Sequence, residues 1–298
     1  MSPEDVSVVV VTYNALPWLE RCLESVCGVE TVVVDNGSSD GTVALVRERF
    51  PEARVVEQEN RGLAAGWNAG LERTSGRYVL FLNSDAWLAD GALERLVEFA
   101  DSQPDAAVVG PRLRFPDGRL QRSVRGFPTL WRLATEYFFL RKLAPRSRVL
   151  NSFYGGGFDH DEVREADFLR GACLLVRRAA VDDVGAADES FFLFSEEVDW
   201  CYRFRRSGWK VLFFPGAEAF HVGGASHGGR MYTEQLRGHL RFFAKHRGEA
   251  EAERARRLLA ASMRLRALVF RGARGRTYRD AAAWLSSGTA RTLLDAPR

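Results

Sequence analysis

The chain has 298 residues, of which 46% are hydrophobic and 27% are charged, and its formal net charge is +3. A chain of this length can bury a full core, and the natural division is one large domain with an appendage. The composition is ordinary for a globular protein. Because the net charge is small, the sequence does not indicate a nucleic-acid-binding protein, and no nucleic-acid partner is expected.

The cysteines and the apolar runs bear on the compartment. Four cysteines are present, none in a C-x-x-C pair: Cys22, Cys27, Cys173 and Cys201. They suit reduced thiols in a cytosolic protein better than a disulfide framework or a zinc site. The N-terminus has no basic segment followed by an apolar run, so no signal peptide is predicted. No apolar run approaches the about 20 residues that span a bilayer, and a cytoplasmic protein is expected.

The first hundred residues alternate apolar runs with amphipathic segments. Strands are predicted over residues 6–11, 31–34, 54–57 and 78–82, with helices between them and a further helix over residues 92–100. This alternation predicts a parallel α/β sheet. The run at 78–82 is continuously apolar, which is typical of a buried central strand.

Polar loops follow all four of these strands. Thr12, Asp35, Arg61 and Asp85 stand in those loops. Because ligands bind beyond the carboxyl ends of strands in an open parallel sheet, these four residues are predicted to face a common crevice. Turn chemistry explains any single loop equally well, but several in register favour a nucleotide-type pocket. The chain has neither G-x-G-x-x-G after its first strand nor G-x-x-x-x-G-K-[ST], which argues against a dinucleotide site of the usual kind and a phosphate loop.

The pattern changes after Pro104. The predicted elements are a strand at 107–109, a hairpin over 113–121 with a Pro-Asp-Gly turn, a strand over 168–176 broken at Gly171-Ala172, a helix from Glu196 to about Gly208, and short strands over 211–214 and 218–221. Residues 127–150 mix aromatic and basic side chains. This mixture predicts a helix or mobile flap whose apolar side meets lipid or a neighbour. The alternative is that the aromatic residues simply join the core.

Residues from Tyr232 onward are predicted to be helical. Leu236, Leu240 and Phe243 lie on one face of the first helix and arginines on the other. A second helix is predicted over 251–270, then a break at 272–276 and a weakly patterned tail. These helices suit an interfacial segment attracted to anionic lipid at the inner face of the membrane, with a homodimer interface or solvated helices as alternatives.

Two further clusters have the residue types that chemistry needs. Glu196, Glu197 and Asp199 crowd behind an aromatic run, and neighbouring like charges raise a carboxyl pKa toward that of a useful base. The alternative is that they are ordinary acidic residues at a helix N-terminus. His221 follows a strand and precedes Val222-Gly223-Gly224, which suits a metal ligand or a phosphate contact, although a single histidine is often structural.

These pieces stand in a recognisable order along residues 5–245. They are VVVTYN at 9–14, VVDNGSSDG at 33–41, NRGLAAGWN at 60–68, NSD at 83–85, GPRL at 110–113 with PDG at 116–118, GACLLVRR at 171–178, FFLFSEEVD at 191–199 and HVGG at 221–224. Each piece is weak, but the ordered set is specific. The sequence resembles the inverting family 2 glycosyltransferases with the GT-A fold, and most of all their rhamnosyltransferase branch.

The resemblance implies a fold, a division into domains and a set of roles. It implies a Rossmann-like mixed α/β sheet in a domain over residues 1–231, with a nucleotide half to about 105 and an acceptor half over 106–231, followed by a helical extension over 232–298. The implied nucleotide-sugar-binding residues are Thr12, Tyr13, Asn14, Asp35, Asn36, Arg61, Asn68, Asn83, Ser84 and Asp85. The implied acceptor-side residues are Gly171, Ala172 and Asp199. Asp85 and His221 would bind Mg²⁺ or Mn²⁺, and Glu197, with Glu196 as the alternative, would be the catalytic base.

The chain departs from the family pattern at two of these positions. Asn83 begins the metal-binding triplet in place of aspartate, which leaves fewer charged oxygens for a divalent cation. Glu197 stands where aspartate is commoner, which adds one methylene of reach.

The implied reaction transfers a sugar, with inversion, onto a saccharide or polyprenyl-linked acceptor for a cell-surface polysaccharide. The first choice of donor is dTDP-rhamnose. The alternatives are a UDP-hexose or UDP-N-acetylhexosamine donor and a non-catalytic nucleotide-sugar-binding protein.

Overall fold

The structure is a computed structural model that describes residues 5–223 and 231–292, so Gly224 of the HVGG motif lies outside the described part. The chain divides into two compact units. The first contains Met1–Val124, His160–Phe192 and Glu196–Ser226, and the second contains Arg125–Asp159, Leu193–Ser195 and His227–Arg298. The second unit thus joins the C-terminal helices to residues 125–159, which precede them by about a hundred positions.

The strands of the described chain are β1 (Val6–Thr12), β2 (Glu30–Asp35), β3 (Arg54–Glu57), β4 (Tyr78–Asn83), β5 (Ala86–Leu88), β6 (Ala106–Arg114), β7 (Leu120–Gln121), β8 (Val124–Arg125), β9 (Arg164–Glu165), β10 (Phe168–Leu169), β11 (Cys173–Arg177) and β12 (Lys210–His221). The main sheet has the strand order β3-β2-β1-β4-β11-β6-β12-β5. Strands β3, β2, β1 and β4 are parallel, whereas β11 is antiparallel to β4 and β6. The sheet is therefore mixed, and β4 is the central strand that the apolar run predicts.

Both compact units contain helices. They are α1 (Leu16–Glu24), α2 (Thr42–Arg49), α3 (Leu63–Leu71), α4 (Ala92–Ser102), α5 (Leu130–Tyr137), α6 (Arg178–Val184), α7 (Glu196–Arg206), α8 (Tyr232–Arg247), α9 (Glu249–Val269), α10 (Gly272–Ser286) and α11 (Gly288–Thr292). No helix among the described residues is long and apolar enough to cross a membrane.

Helix α3 lies unusually close to β1 because two of its residues are glycines. A Cβ atom on Gly66 would stand 2.6 Å from the Val11 side chain, and one on Gly70 would stand 2.4 Å from Val9. Any larger residue at either position would push the helix off the sheet. The close approach fixes the N-terminal end of α3 beside the carboxyl ends of β1 and β2, where the candidate site lies.

Several elements differ from the sequence prediction. The two short strands expected at 211–214 and 218–221 are one strand, β12, whose register shifts between Phe214 and Glu218. A β-bulge accounts for this, because Pro215 and Gly216 interrupt the apolar pattern without ending the pairing with β6. Strand β6 runs from Ala106 to Arg114 rather than over 107–109, and its end forms the expected hairpin with β7.

The C-terminal helices of the second unit also depart from expectation. Leu236, Leu240 and Phe243 of α8 are buried, so the apolar face of this helix packs inside the unit and does not face lipid. The predicted break at 272–276 is wrong, because these residues begin α10 and the chain breaks at Phe270–Arg271 instead. The weakly patterned tail forms the rest of α10, whose buried residues include Ala281, Ala282 and Leu285. Small residues carry this packing, which explains the weak hydrophobic periodicity.

Candidate active site

The carboxyl ends of the parallel strands align at one edge of the main sheet. Thr12 at the end of β1 pairs with Asp35 at the end of β2, and Asp35 in turn pairs with Glu57 of β3. On the other side Val11 pairs with Asn83, the last residue of β4. The loops that carry the predicted site residues therefore leave the sheet at the same level, as the sequence reasoning expects.

Asp35 is buried and closes the loop that follows it. Its Oδ2 accepts hydrogen bonds from the backbone N–H groups of Gly37, at 3.0 Å, and Ser38, at 2.8 Å, while its Oδ1 accepts one from the Ser38 hydroxyl. The neighbouring Asn36 donates to the Gly62 carbonyl and accepts from Gln58. The polar loop after β2 is thus held by the Asp35 carboxylate, and Asn36 ties this loop to Gly62 at the start of α3.

Tyr13 and Asn14 form the rim above this carboxylate. Asn14 adopts a left-handed backbone conformation, and its amide oxygen accepts a hydrogen bond from the Ser39 N–H at 2.8 Å. The Tyr13 side chain is 48% exposed. The Thr12 hydroxyl is buried and has no hydrogen-bond partner within the described part of the chain. An exposed ring beside buried polar groups is a surface on which a planar base can stack.

Asn68 and Arg61 both bind the loop before α7. The Asn68 amide donates to the Ala187 carbonyl at 2.9 Å and accepts from the Ala187 N–H at 3.0 Å. The exposed Arg61 forms an ion pair with Glu189, which also accepts from Asn68. Gly62 allows this loop to come close, since a Cβ there would lie 2.2 Å from the Phe192 carbonyl oxygen. The Asn68 amide is therefore hydrogen-bonded to the backbone of the protein, whereas the Arg61 ion pair lies at the surface.

Asp85 and His221 meet where the turn after β4 reaches the end of β12. Asp85 Oδ1 lies 3.3 Å from His221 Nε2, and both side chains are nearly buried. Asp85 Oδ2 also accepts from the Gly223 N–H. Burial alone would raise the pKa of the Asp85 carboxyl, but the hydrogen bond and charge of His221 and the N–H of Gly223 hold this pKa below its ordinary value. The carboxylate is thus kept ionised.

Gln121 of β7 fixes the orientation of the His221 ring. Its Nε2 donates to the His221 carbonyl oxygen at 3.3 Å, and its Oε1 lies 2.7 Å from His221 Nδ1. Since a carbonyl oxygen cannot donate, the amide nitrogen must face it, which leaves Oε1 to accept from Nδ1–H. Nε2 is then the ring nitrogen that faces Asp85: when it carries a proton it donates to Oδ1, and when a cation displaces that proton its lone pair is the ligand.

This arrangement fits a divalent cation. Two adjacent ligands of an octahedral ion with bonds of about 2.1 Å lie roughly 3.0 Å apart, close to the 3.3 Å between Asp85 Oδ1 and His221 Nε2. Within the described residues no group of three or more His, Cys, Asp or Glu side chains is arranged to hold a metal. The described part of the chain therefore offers two ligands here, and further coordination would come from substrate phosphates and water, as is usual for Mg²⁺.

Asn83 connects this pair to the start of α7. Its backbone N–H donates to the Ala172 carbonyl at 3.0 Å, so the end of β4 is tied to the break between β10 and β11. A Cβ on the adjacent Gly171 would lie 3.5 Å from the Trp67 ring and 3.6 Å from the Glu197 side chain. Gly171 thus packs between Trp67 and Glu197, since a Cβ there would stand at ordinary van der Waals distance from both.

Glu196 and Glu197 differ in environment although they are adjacent. Glu196 is buried, and its Oε2 has no hydrogen-bond partner among the described residues, whereas Glu197 is half-buried. Burial, and then the charge of Glu197, raise the pKa of Glu196 well above its ordinary value. The raised pKa favours the neutral form of Glu196, whereas Glu197 is the partly exposed member of the pair.

Asp199 has a different setting from the two glutamates. It is fully buried and accepts from Arg203 Nε at 2.9 Å. Arg203 in turn donates to the carbonyl oxygens of Val184 and Ala186. This geometry makes Asp199 the anchor of an arginine that holds the turn after α6.

Gln58, Gln121 and Glu189 bear on the site but were not singled out by the sequence reasoning. Gln121 lies in a strand of two residues and Glu189 in an irregular loop, so neither has a periodic signal. Gln121 does stand in the hairpin that the Pro-Asp-Gly turn predicts, and a glutamine on the return strand of that hairpin was the available hint.

The mixed sheet, with polar loops at one edge and helices after it, has the architecture of the GT-A class. Residues 7–185 match Glycosyl transferase family 2, and the chain belongs to this family. Over 234 residues it is 32% identical to N-acetylglucosaminyl-diphospho-decaprenol L-rhamnosyltransferase of Mycobacterium tuberculosis, covering 72% of this chain and 75% of the relative. The chain is thus an enzyme, a glycosyltransferase, and the fold and family implied by the sequence motifs are confirmed.

Solved structures share this fold. A mannosyltransferase of Pyrobaculum calidifontis in complex with GDP-mannose and Mn²⁺ superposes with a TM-score of 0.57 at 18% identity, covering 98% of this chain and 84% of that one. GalNAc-T7 with UDP, GalNAc and Mn²⁺ superposes with a TM-score of 0.59 at 17% identity, over 80% of this chain but only 48% of that one. Both likenesses concern the fold alone.

Proposed function

We propose that this glycosyltransferase moves rhamnose from dTDP-rhamnose onto a saccharide carried by a polyprenyl diphosphate, for a cell-surface polysaccharide. The observation that carries the proposal is the 32% identity to a rhamnosyltransferase, which extends over 72% of this chain and 75% of the relative. The match extends over most of both chains, and the family match over residues 7–185 contains the polar loops from Thr12 to Asp85.

Glu197 is the catalytic base in this proposal. Its carboxylate takes the proton from an acceptor hydroxyl, and the resulting oxygen attacks the anomeric carbon from the face opposite the nucleoside diphosphate. The bond to the diphosphate breaks as the new bond forms, so the anomeric centre inverts. Two features support this role: Glu197 is only half-buried at the start of α7, and burial raises the pKa of the adjacent Glu196, which favours the neutral form of that neighbour.

The nucleotide lies over the edge formed by Thr12, Tyr13 and Asp35 in this proposal, with Arg61 and the triplet that ends in Asp85 nearer the diphosphate. The Asp35 carboxylate accepts a ring N–H of the base, for which its oxygens have further lone pairs. Asp85 and His221 would hold Mg²⁺ or Mn²⁺, which when bound offsets negative charge on the leaving diphosphate. Asn36, Asn83 and Ser84 support these groups through the loops they occupy.

A UDP-sugar is the second candidate donor. The Asp35 contact is the reason, because uracil and thymine present the same ring N–H to a carboxylate and the loop does not distinguish between them. A UDP-hexose or UDP-N-acetylhexosamine would therefore occupy the same edge.

The acceptor suggests where the protein works. A polyprenyl-linked saccharide lies in a membrane, so the proposal places this enzyme in the cytoplasm with peripheral contact at the inner membrane face. A homodimer is compatible with the same activity.

A panel of donors tests the proposal. The purified full chain is incubated with Mn²⁺, polyprenyl-diphospho-N-acetylglucosamine and either dTDP-rhamnose, UDP-glucose or UDP-N-acetylglucosamine. The product is identified by mass spectrometry, and its anomeric configuration is determined by NMR spectroscopy. The expected result is a rhamnosylated lipid from dTDP-rhamnose alone. Turnover of a UDP-sugar in its place would move the assignment to the second candidate, and a product of retained anomeric configuration would refute the single displacement.

A further inference from the structure

Two segments of the second unit are strongly basic. Residues 139–150 contain four basic and no acidic residues, and residues 264–279 contain six arginines and no acidic residue. The whole chain has a net charge of only +3, so the rest of the molecule is acidic overall. Basic segments of this density attract a negatively charged surface.

The same two segments expose large aliphatic side chains. Leu143 is 78% exposed, Leu268 is 83% exposed and Val269 is 65% exposed. A single exposed leucine is ordinary on a protein surface, but several that share one surface mark a contact site.

Arg266 and an aromatic pair hold the two segments together. Arg266 is buried and donates to the Tyr137 carbonyl at 2.8 Å and to the Glu136 carbonyl at 3.0 Å. Its guanidinium carbon lies 4.1 Å from the centre of the Phe139 ring, and that ring lies 5.8 Å from the ring of Phe270. Leu143 follows Phe139 by four residues, while Leu268 and Val269 directly precede Phe270. The exposed side chains therefore project from two backbones that are already fixed to each other, so little order is lost on binding.

We propose that this surface docks the enzyme on the interfacial layer of a bilayer that contains anionic phospholipids. The surface, called here the basic–aliphatic patch, consists of Lys142, Leu143, Leu268, Val269, Arg271 and Arg274. Arginine and lysine side chains pair with lipid phosphates while the aliphatic side chains enter the boundary of the acyl chains. An acidic protein or a nucleic acid would satisfy the cations but leave Leu143 and Leu268 in water. This patch deepens the membrane contact of the proposed function, and it replaces the α8 face, which is buried.

Vesicle flotation of the full-length protein tests the proposal. The probes are vesicles of phosphatidylcholine with phosphatidylglycerol and vesicles of phosphatidylcholine alone. One variant removes apolar surface at constant charge (Leu143→Ser, Leu268→Ser, Val269→Ser), and another removes charge (Arg271→Gln, Arg274→Gln). Matched controls in the first unit are Val163→Ser, an exposed aliphatic residue, and Arg54→Gln with Arg206→Gln.

The wild type and both controls are expected to float with the anionic vesicles and not with the neutral ones. The two-arginine variant should partition about 30-fold less, since each basic residue near an anionic surface contributes roughly fivefold. Binding of the apolar variant to the anionic vesicles should be at least about tenfold weaker than that of the wild type. Glycosyl transfer to a water-soluble acceptor should be unchanged in both, which separates this inference from the proposed function.

Three results would overturn the proposal. The first is a wild type that fails to bind anionic vesicles at low salt. The second is binding that both patch variants retain. The third is a wild-type dimer, measured by light scattering, that the apolar variant converts to a monomer, because the patch would then be a contact between two copies of the chain.

Discussion

Replacing Gln121 by leucine tests how the protein prepares His221 to bind a metal ion. Leucine is similar in size to glutamine but cannot accept the Nδ1–H of His221, which the Gln121 Oε1 accepts at 2.7 Å. The ring is then able to rotate or to keep its proton on Nε2 rather than on Nδ1, and either change takes away the Nε2 lone pair that a cation would need. Loss of such a supporting contact typically weakens metal affinity about 10- to 100-fold, or roughly 1.4–2.7 kcal/mol.

The assay is Mn²⁺ titration of the full chain in the presence of dTDP, followed by the electron paramagnetic resonance of free Mn²⁺. Gln121 is buried, so the fold must be checked by thermal unfolding, where an unpaired buried group costs about 1–3 kcal/mol. Gln121→Glu is the comparison variant: its carboxylate still accepts from Nδ1–H but loses the donor to the His221 carbonyl oxygen, so it should keep more of the affinity than Gln121→Leu. If Gln121→Leu binds Mn²⁺ as the wild type does while His221→Ala does not, the tautomer argument is wrong.

Three further predictions concern the nucleotide-binding edge and the core of the second unit. Asp85→Ala and His221→Ala should each weaken Mn²⁺-dependent dTDP binding in isothermal titration, since both offer ligands to the cation; wild-type affinity in both would remove them from the site. Asp35→Ala should weaken binding of dTMP in EDTA as well, because its contact is with the base; an unchanged affinity would make Asp35 a turn residue only. His239 is buried, and burial lowers its pKa to about 4 from 6.5. Between these values the unfolded chain holds more protons, so stability falls as pH falls. Acidification from pH 7.5 to 5 should cost about 2 kcal/mol through this group, and a His239→Gln variant should lose that part of the pH dependence in urea unfolding.

The sequence predicts the nucleotide half of the sheet well, for a simple physical reason. Strands such as Val6–Thr12 and Tyr78–Asn83 are buried on both faces, so they appear as continuous apolar runs with polar residues where they end. The order of such runs predicts which loops share an edge, and the pairing of Thr12 with Asp35 agrees with it.

Features that depend on contacts between distant segments were not predictable in this way. Gln121 approaches His221 across a hundred residues of sequence. The bulge that joins 210–214 to 218–221 is hidden by Pro215 and Gly216, which normally end a strand. Leu236 and Leu240 of α8 have an apolar periodicity that suits a lipid surface and a protein core equally, and only the structure distinguishes the two.

The most direct test of the proposed mechanism uses the Glu197→Gln variant. Two quantities are measured on it: the rate of glycosyl transfer and the affinity for the donor. The amide keeps the size of the carboxylate but cannot take a proton, so the rate of transfer should fall by about 10² to 10⁴. The affinity for dTDP-rhamnose should be nearly unchanged, because the proposed nucleotide contacts lie in the first hundred residues. Glu196→Gln is the control: burial raises the pKa of that carboxyl and favours its neutral form, so a neutral amide should cost far less. Transfer at the wild-type rate by Glu197→Gln would contradict the account, and loss of activity in Glu196→Gln alone would make the buried acid the base.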